Sequence, residues 1–242
     1  MKGDDGMLIC GLQKLSLLDY PEKLAATIFT GGCNFRCPFC HNASLVTRPE
    51  KCTPIPTDEV FNFLEKRVGK LDGVCITGGE PLLQNDIGGF ILRIRELGFL
   101  VKLDTNGTFP DRLKTLLDKG LVDYVAMDIK NSVEKYPMTV GIENFGTTGI
   151  IESIELLKNC SVPYEFRTTL VRGLHTDDDI KKIGELVKGA PRHFLQNFED
   201  SGELVGFSNS SQRIELGGFT RQEIEHFQGI LASYVPEVII RG

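Results

Sequence analysis

The chain has 242 residues, 41% of them hydrophobic and 25% charged, which is the composition of a globular protein long enough to bury a substantial core. Its 27 Lys and Arg against 33 Asp and Glu leave a net charge of −6, which argues against general affinity for nucleic acid or for an anionic membrane surface. No apolar run approaches the roughly 18 residues that span a bilayer, and the opening MKGDDGMLICGLQKLSLLDYP lacks the apolar core of a cleavable leader, so the sequence reads as cytoplasmic.

Strands are expected at about 24–30, 73–77, 99–104, 122–128, 164–171 and 192–198, where short apolar runs are rich in β-branched residues. Helical periodicity fills the intervals at about 57–68, 86–97, 110–119, 148–159 and 177–188. TDEV from residue 57 and TDDDI from residue 176 place a capping hydroxyl ahead of first-turn carboxylates. A closing helix near 220–233 and a short strand over VPEVII follow, while the Gly- and Ser-rich stretch 201–219 reads as a mobile surface loop. With no repeat and no linker, residues 1–242 are expected to form a single domain. Every strand-to-strand connection is a helical crossover, so the sheet must be parallel. Periodicity leaves open whether it is an open sheet or a curved part-barrel.

The unusual residues fall at strand ends: TGGEP (77–81) after the second strand, DTNG (104–107) after the third, DIK (128–130) after the fourth and VRG (171–173) after the fifth. In parallel β/α folds, the loops that build a site converge on the C-terminal edge. The loop after the first strand, GGCNFRCPFCHN (31–42), carries Cys33, Cys37 and Cys40 in the pattern C-x3-C-x2-C. A structural zinc site needs four protein ligands, and His41 is poorly placed to join Cys40 on one ion. An iron–sulfur cube held by three thiolates keeps one iron open, so a substrate can supply the missing ligand. Seven cysteines is an odd number and three are clustered, which fits a reducing compartment better than a disulfide framework. Cys75 reads as a small buried hydrophobe, and the spacing of Cys10, Cys52 and Cys160 assigns them no role.

C-x3-C-x-aromatic-C, with Phe39 as the aromatic, resembles the signature of radical S-adenosylmethionine enzymes, and TGGEP resembles their second motif. The wider text GLQKLSLLDYPEKLAATIFTGGCNFRCPFCHN is similar to glycyl-radical-enzyme activases, most of all those serving anaerobic ribonucleoside-triphosphate reductase. The resemblance implies a partial (β/α)6 TIM-like barrel and a 4Fe-4S cluster on Cys33, Cys37 and Cys40. It also implies reductive cleavage of S-adenosylmethionine, a glycyl radical on a partner enzyme, and a flavodoxin- or ferredoxin-type electron donor. For S-adenosylmethionine it points to Phe39 at the adenine, to Cys40 and His41 beside the open iron, and to Gly78, Gly79 and Glu80 at the amino group. It adds Asp104, Asp128, Lys130, Thr169 and Gln196.

Read as residues alone, Asp104 is either a ligand or a turn residue paired with Gly107, Asp128 and Lys130 either face a site or form a surface ion pair, and His41 either tunes the cluster or faces solvent. His175 and His193 read as core or surface. Three other functions compete. One is activation of pyruvate formate-lyase or a related lyase, another is a small-molecule radical enzyme such as a deazapurine synthase, and the third is a metal-stabilised interaction module without catalysis.

Overall fold

The structure, a computed structural model, describes residues 6–200, 202–206 and 215–241. Part of the loop expected at 201–219, namely 201 and 207–214, therefore lies outside the described residues. Eight strands make one sheet in which spatial order equals chain order: β1 (Ile9–Ser16), β2 (Ala25–Thr30), β3 (Gly73–Gly78), β4 (Leu100–Thr105), β5 (Tyr124–Asp128), β6 (Tyr164–Leu170), β7 (Arg192–Asn197) and β8 (Glu237–Arg241). From β2 to β8 every pairing is parallel, as the crossovers require, whereas β1 runs antiparallel to β2. Among the described residues β1 and β8 do not pair with each other, so the barrel stays open along one side. This is an α/β partial TIM barrel in which β8 is the short strand expected over VPEVII and β1 is the one strand beyond those expected.

The helices are α1 (Ala43–Thr47), α2 (Thr57–Glu65), α3 (Ile87–Glu96), α4 (Pro110–Asp118), α5 (Tyr136–Val140), α6 (Thr148–Lys158), α7 (Asp177–Val187) and α8 (Arg221–Leu231). Thr176 caps α7 through a reciprocal box with Asp179, as its sequence leads one to expect. At α2 the expectation needs correction: the cap position is Pro56, which has no hydroxyl, so only Asp58 and Glu59 serve that helix start. Among the described residues no helix is long and apolar enough to cross a membrane.

Alternation along each strand sorts side chains onto two faces. The outer face carries Ile28, Ile76, Leu103, Val125 and Phe166, all fully buried under the helices. The inner face is different. Its floor is a small apolar group of Tyr20, Ala25 and Tyr124, and above the floor it turns polar, with Thr27, Cys75, Lys102, Asp104, Asp128 and Arg167. Apolar burial on the helix side thus holds the sheet, leaving the inner face free for charge.

Candidate active site

The cysteine loop is shaped before any ligand is considered. Arg36 folds back so that its Nη1 donates to the carbonyls of Cys33 and Phe35 at 2.6 and 2.7 Å, while its backbone N–H donates to Val140 at the end of α5 at 2.8 Å. The Cys40 N–H donates to the Cys37 carbonyl at 3.0 Å, and the Phe35 ring packs edge-on against Phe145. The loop from β4 supports the other end: Asn106 donates to Asn34 at 2.8 Å, and Asn34 donates to Thr108 at 2.9 Å. Gly206 donates to the Pro38 carbonyl at 2.9 Å, so the described part of the late loop rests on the cysteine loop.

All three thiols line one cavity of about 250 Å³ at the C-terminal ends of the strands. Burial pushes the Cys33 thiol up to about 11 and the Cys37 thiol up to about 12, and it raises Cys40 as well. Lys130 opposes all three shifts. The pocket by itself therefore favours the neutral thiols, and the thiolate form that binds metal needs cationic iron to draw it out. Among the described residues no three His, Cys, Asp or Glu side chains converge closely enough to share one metal ion. The thiols instead border one common cavity, as a cluster asks of ligands that go to separate irons.

Gly78 and Gly79 line the same cavity and have a second reason to be glycine. Gly78 takes φ +110°, and a Cβ on Gly79 would lie 1.8 Å from the Gly32 carbonyl oxygen. The β3 loop lies directly on the cysteine loop, with Gly79 donating to Thr30 and Glu80 donating to Gly32, both at 2.8 Å. Glu80 is where the structure departs from the sequence reading. Its side chain is fully buried and faces inward. One carboxylate oxygen accepts from Leu82 N–H at 3.0 Å and Thr105 Oγ1 at 2.9 Å, the other from Asn106 N–H at 2.7 Å. Burial drives its carboxyl up to about 7 against those hydrogen bonds. Glu80 thus knots the GGEP loop to the DTNG loop and does not line the cavity.

Asp104, Asp128 and Lys130 do line it, joined by Arg167 of β6, which no sequence motif singles out. Arg167 Nη1 donates to Asp104 Oδ2 at 3.0 Å, and its Nε donates to Asp128 Oδ1 at 2.9 Å. Lys130 Nζ takes Asp128 Oδ2 at 2.8 Å, and Lys102 Nζ takes Asp104 Oδ1. Although burial works against them, both carboxylates are held well below their usual range, Asp104 by Arg167 and Lys102, Asp128 by Arg167 and Lys130. The DIK pair is an inward-facing part of a chain of charges and no surface pair.

Phe39, Thr169 and Gln196 line the cavity too. His41 lines it while remaining exposed, its ring 5.6 Å from that of Phe198. His175 is buried and clamps Lys130: its Nε2 lies 2.9 Å from the Lys130 carbonyl, and Tyr136 Oη accepts the Lys130 N–H at 3.1 Å. His193 is core, on the outer face against Thr168. Asn106 and Thr105 were missed because the Asn-Gly turn chemistry of DTNG explains them without a ligand, although a polar run directly after a strand end was a usable signal. The expectation for two other cysteines also changes: Cys10 and Cys52 form a disulfide, which ties β1 to the segment behind the cysteine loop and leaves Cys33, Cys37, Cys40, Cys75 and Cys160 free.

Residues 27–187 match the model of the radical SAM superfamily. The chain is 34% identical over 238 residues, 97% of its own length and 95% of the other, to a Methanocaldococcus jannaschii protein named as a glycyl-radical enzyme activating enzyme. It is 30% identical over 189 residues, 73% of each chain, to the pyruvate formate-lyase-activating enzyme of Staphylococcus aureus. In fold alone it is similar to Streptococcus suis SuiB solved with S-adenosylmethionine, with a TM-score of 0.64 over 87% of this chain and 48% of that one at 14% identity.

Proposed function

The chain belongs to the radical SAM superfamily, and we propose that it is the activase of a glycyl radical enzyme, with anaerobic ribonucleoside-triphosphate reductase as its partner. Members of the superfamily bind a 4Fe-4S cluster and S-adenosylmethionine, and the residues present fit both: three free thiols, paired charges and two glycines line one cavity. That convergence is the observation that carries the reading. When bound, the two cofactors supply the electron and the carbon-centred oxidant that take a hydrogen atom from a glycine Cα of the partner.

The chain's own residues hold and orient. Cys33, Cys37 and Cys40 hold the cluster, and Arg36, Asn34 and Asn106 keep their loop in shape. Gly78 and Gly79 present backbone at the amino group, Asp128 and Lys130 receive the polar end of the cofactor, and Phe39, Thr169 and Gln196 border its remainder. Lys130 also brings a positive charge to the cysteines. No side chain has to act as general acid or base, which agrees with a cavity whose carboxylates are each paired with cations. The electron comes from a flavodoxin- or ferredoxin-type donor, and the cytoplasm is where an oxygen-labile cluster is kept reduced.

The choice of partner rests on the segment LSLLDYPEKLAATIFT that leads into the cysteine loop. The similarity to the S. aureus protein favours a second reading, activation of pyruvate formate-lyase or a related lyase. Anaerobic incubation of the reconstituted protein with S-adenosylmethionine, a reductant and each candidate partner separates them. A glycyl radical signal by electron paramagnetic resonance on the reductase alone supports the first reading, a signal on the lyase alone supports the second, and none on either sinks both.

A further inference from the structure

Lys102 has no place in the reading above, yet it is the most deeply buried cation on the inner face, with its side chain 1% exposed. It stands on β4 two residues below Asp104, so both side chains point inward with Lys102 nearer the floor. It does not line the cavity. Its Nζ takes Asp104 Oδ1 and lies 3.8 Å from the Sγ of Cys75, its register partner on β3. A buried ammonium needs such a partner, because stripping it of water otherwise costs several kcal/mol.

We propose that Lys102 is a positioning residue which, acting through Asp104 and Arg167, keeps Lys130 available to the anionic end of S-adenosylmethionine. This rests on the reading of the cavity as the S-adenosylmethionine site. The argument is a count of partners. Two carboxylates offer four oxygens, and each meets one cation: Asp104 Oδ1 meets Lys102, Asp104 Oδ2 and Asp128 Oδ1 meet Arg167, and Asp128 Oδ2 meets Lys130, while the neutral Cys75 thiol also reaches Asp104 Oδ1 at 3.8 Å. Arg167 can bridge the two because the β5 residue between them is Ala126, which is register partner to Asp104 and too small to block the span.

The set Lys102, Arg167 and Lys130 against Asp104 and Asp128 carries one excess positive charge, and Lys130 is the member at the cysteines. Without Lys102 the balance is zero. Both oxygens of Asp104 then draw Arg167, whose planar guanidinium suits a bidentate pair, and Asp128 is left to engage Lys130 with both of its own. Lys130 would then be committed to Asp128 and withdrawn from the ligand.

The test uses the anaerobically reconstituted protein as parent and as Lys102→Met, Lys102→Gln and Lys102→Arg, with iron and sulfide content and the S-adenosylmethionine dissociation constant measured for each. Lys102→Met and Lys102→Gln are expected to hold the parent's iron and to bind S-adenosylmethionine about tenfold more weakly, while Lys102→Arg stays within about threefold of the parent. If the methionine variant does not fold, the glutamine variant, which still donates to Asp104, carries the comparison. Parent-like affinity in Lys102→Gln overturns the proposal, as does an arginine variant as weak as the glutamine one, because then packing and not charge is at work. Iron loss in Lys102→Gln overturns it too, since Lys102 would belong to cluster assembly. A parent that holds iron but binds no S-adenosylmethionine would instead defeat the reading of the cavity.

Discussion

The side-chain amide of Asn106 donates to Asn34 Oδ1 at 2.8 Å, and through this bond the loop after β4 holds the loop that carries the cysteines. Asn106 is nearly saturated: its Oδ1 accepts from the N–H and the hydroxyl of Thr108 at 3.0 and 2.6 Å, and its Nδ2 stands 3.9 Å from Cys33 Sγ. Asn106→Ala removes these contacts at a buried position, where an unpaired polar group costs about 1 to 3 kcal/mol. The variant is expected to take up iron but to surrender it to a chelator several-fold faster than the parent. Equal release rates would show that the loop is held without Asn106.

Replacement of any one of Cys33, Cys37 and Cys40 by Ala is expected to abolish the cluster, since these are the three free thiols that line the cavity. Iron and sulfide analysis after reconstitution decides it. Parent levels of both in Cys37→Ala would break the three-ligand assignment.

The disulfide between Cys10 and Cys52 makes a different and simpler statement. Alkylation of the unfolded, unreduced apoprotein is expected to label five cysteines, and labelling after reduction all seven. The bridge closes a loop across 42 residues, and loop-closure entropy assigns such a cross-link about 4 kcal/mol at most. Cys10→Ser with Cys52→Ser should therefore unfold at clearly lower denaturant while binding iron as the parent does. Seven reactive thiols before reduction would remove the bridge from the account.

His193 supplies a pH dependence. Burial holds the imidazole down to about 3, and its Nδ1 has no hydrogen-bond partner among the described residues. The unfolded chain, with an ordinary pKa near 6.5, binds the proton that the folded chain refuses. Stability from this residue is thus complete above about pH 6.5 and drains away as pH falls towards 3, by up to several kcal/mol. Denaturation of the apoprotein between those limits should give a steeper pH slope for the parent than for His193→Gln, whose amide can still meet Thr168. Parallel slopes would mean that another group sets the acid limit.

Much of this was legible in the sequence because parallel strands buried on their helix side read as short apolar runs, and because their functional residues stand at the strand ends. The short strand expected over VPEVII is β8, but β1 was not legible, because it is an edge strand with Gln13, Lys14 and Leu15 exposed and shows no clean hydrophobic period. Lys102 was hidden by the opposite effect. In FLVKLD the alternation of Val101 and Leu103 with Lys102 reads as a half-exposed strand, whereas its polar side faces the barrel interior. The disulfide joins positions far apart in the chain, and Glu80 could be told from a ligand only by its three partners, all of which come from folding.

Glu80 and Lys130 were expected to serve the same cofactor, and the structure separates them. Glu80→Gln keeps one oxygen for Leu82 and Thr105 but turns an amide N–H2 towards the Asn106 N–H, setting donor against donor at a fully buried site. The expected result is a loss of about 1 to 3 kcal/mol in stability, with the loops that border the cavity loosened together. Lys130→Met leaves those loops alone, because its main chain stays clamped by Tyr136 and His175. It should hold the parent's iron and lose affinity for S-adenosylmethionine by roughly 10- to 150-fold, the worth of one charge-assisted hydrogen bond. Thermal unfolding beside ligand binding, measured for both variants, tells the two roles apart. A Glu80→Gln protein as stable as the parent but deaf to S-adenosylmethionine would return Glu80 to the ligand, and a Lys130→Met protein with unchanged affinity would take Lys130 out of it.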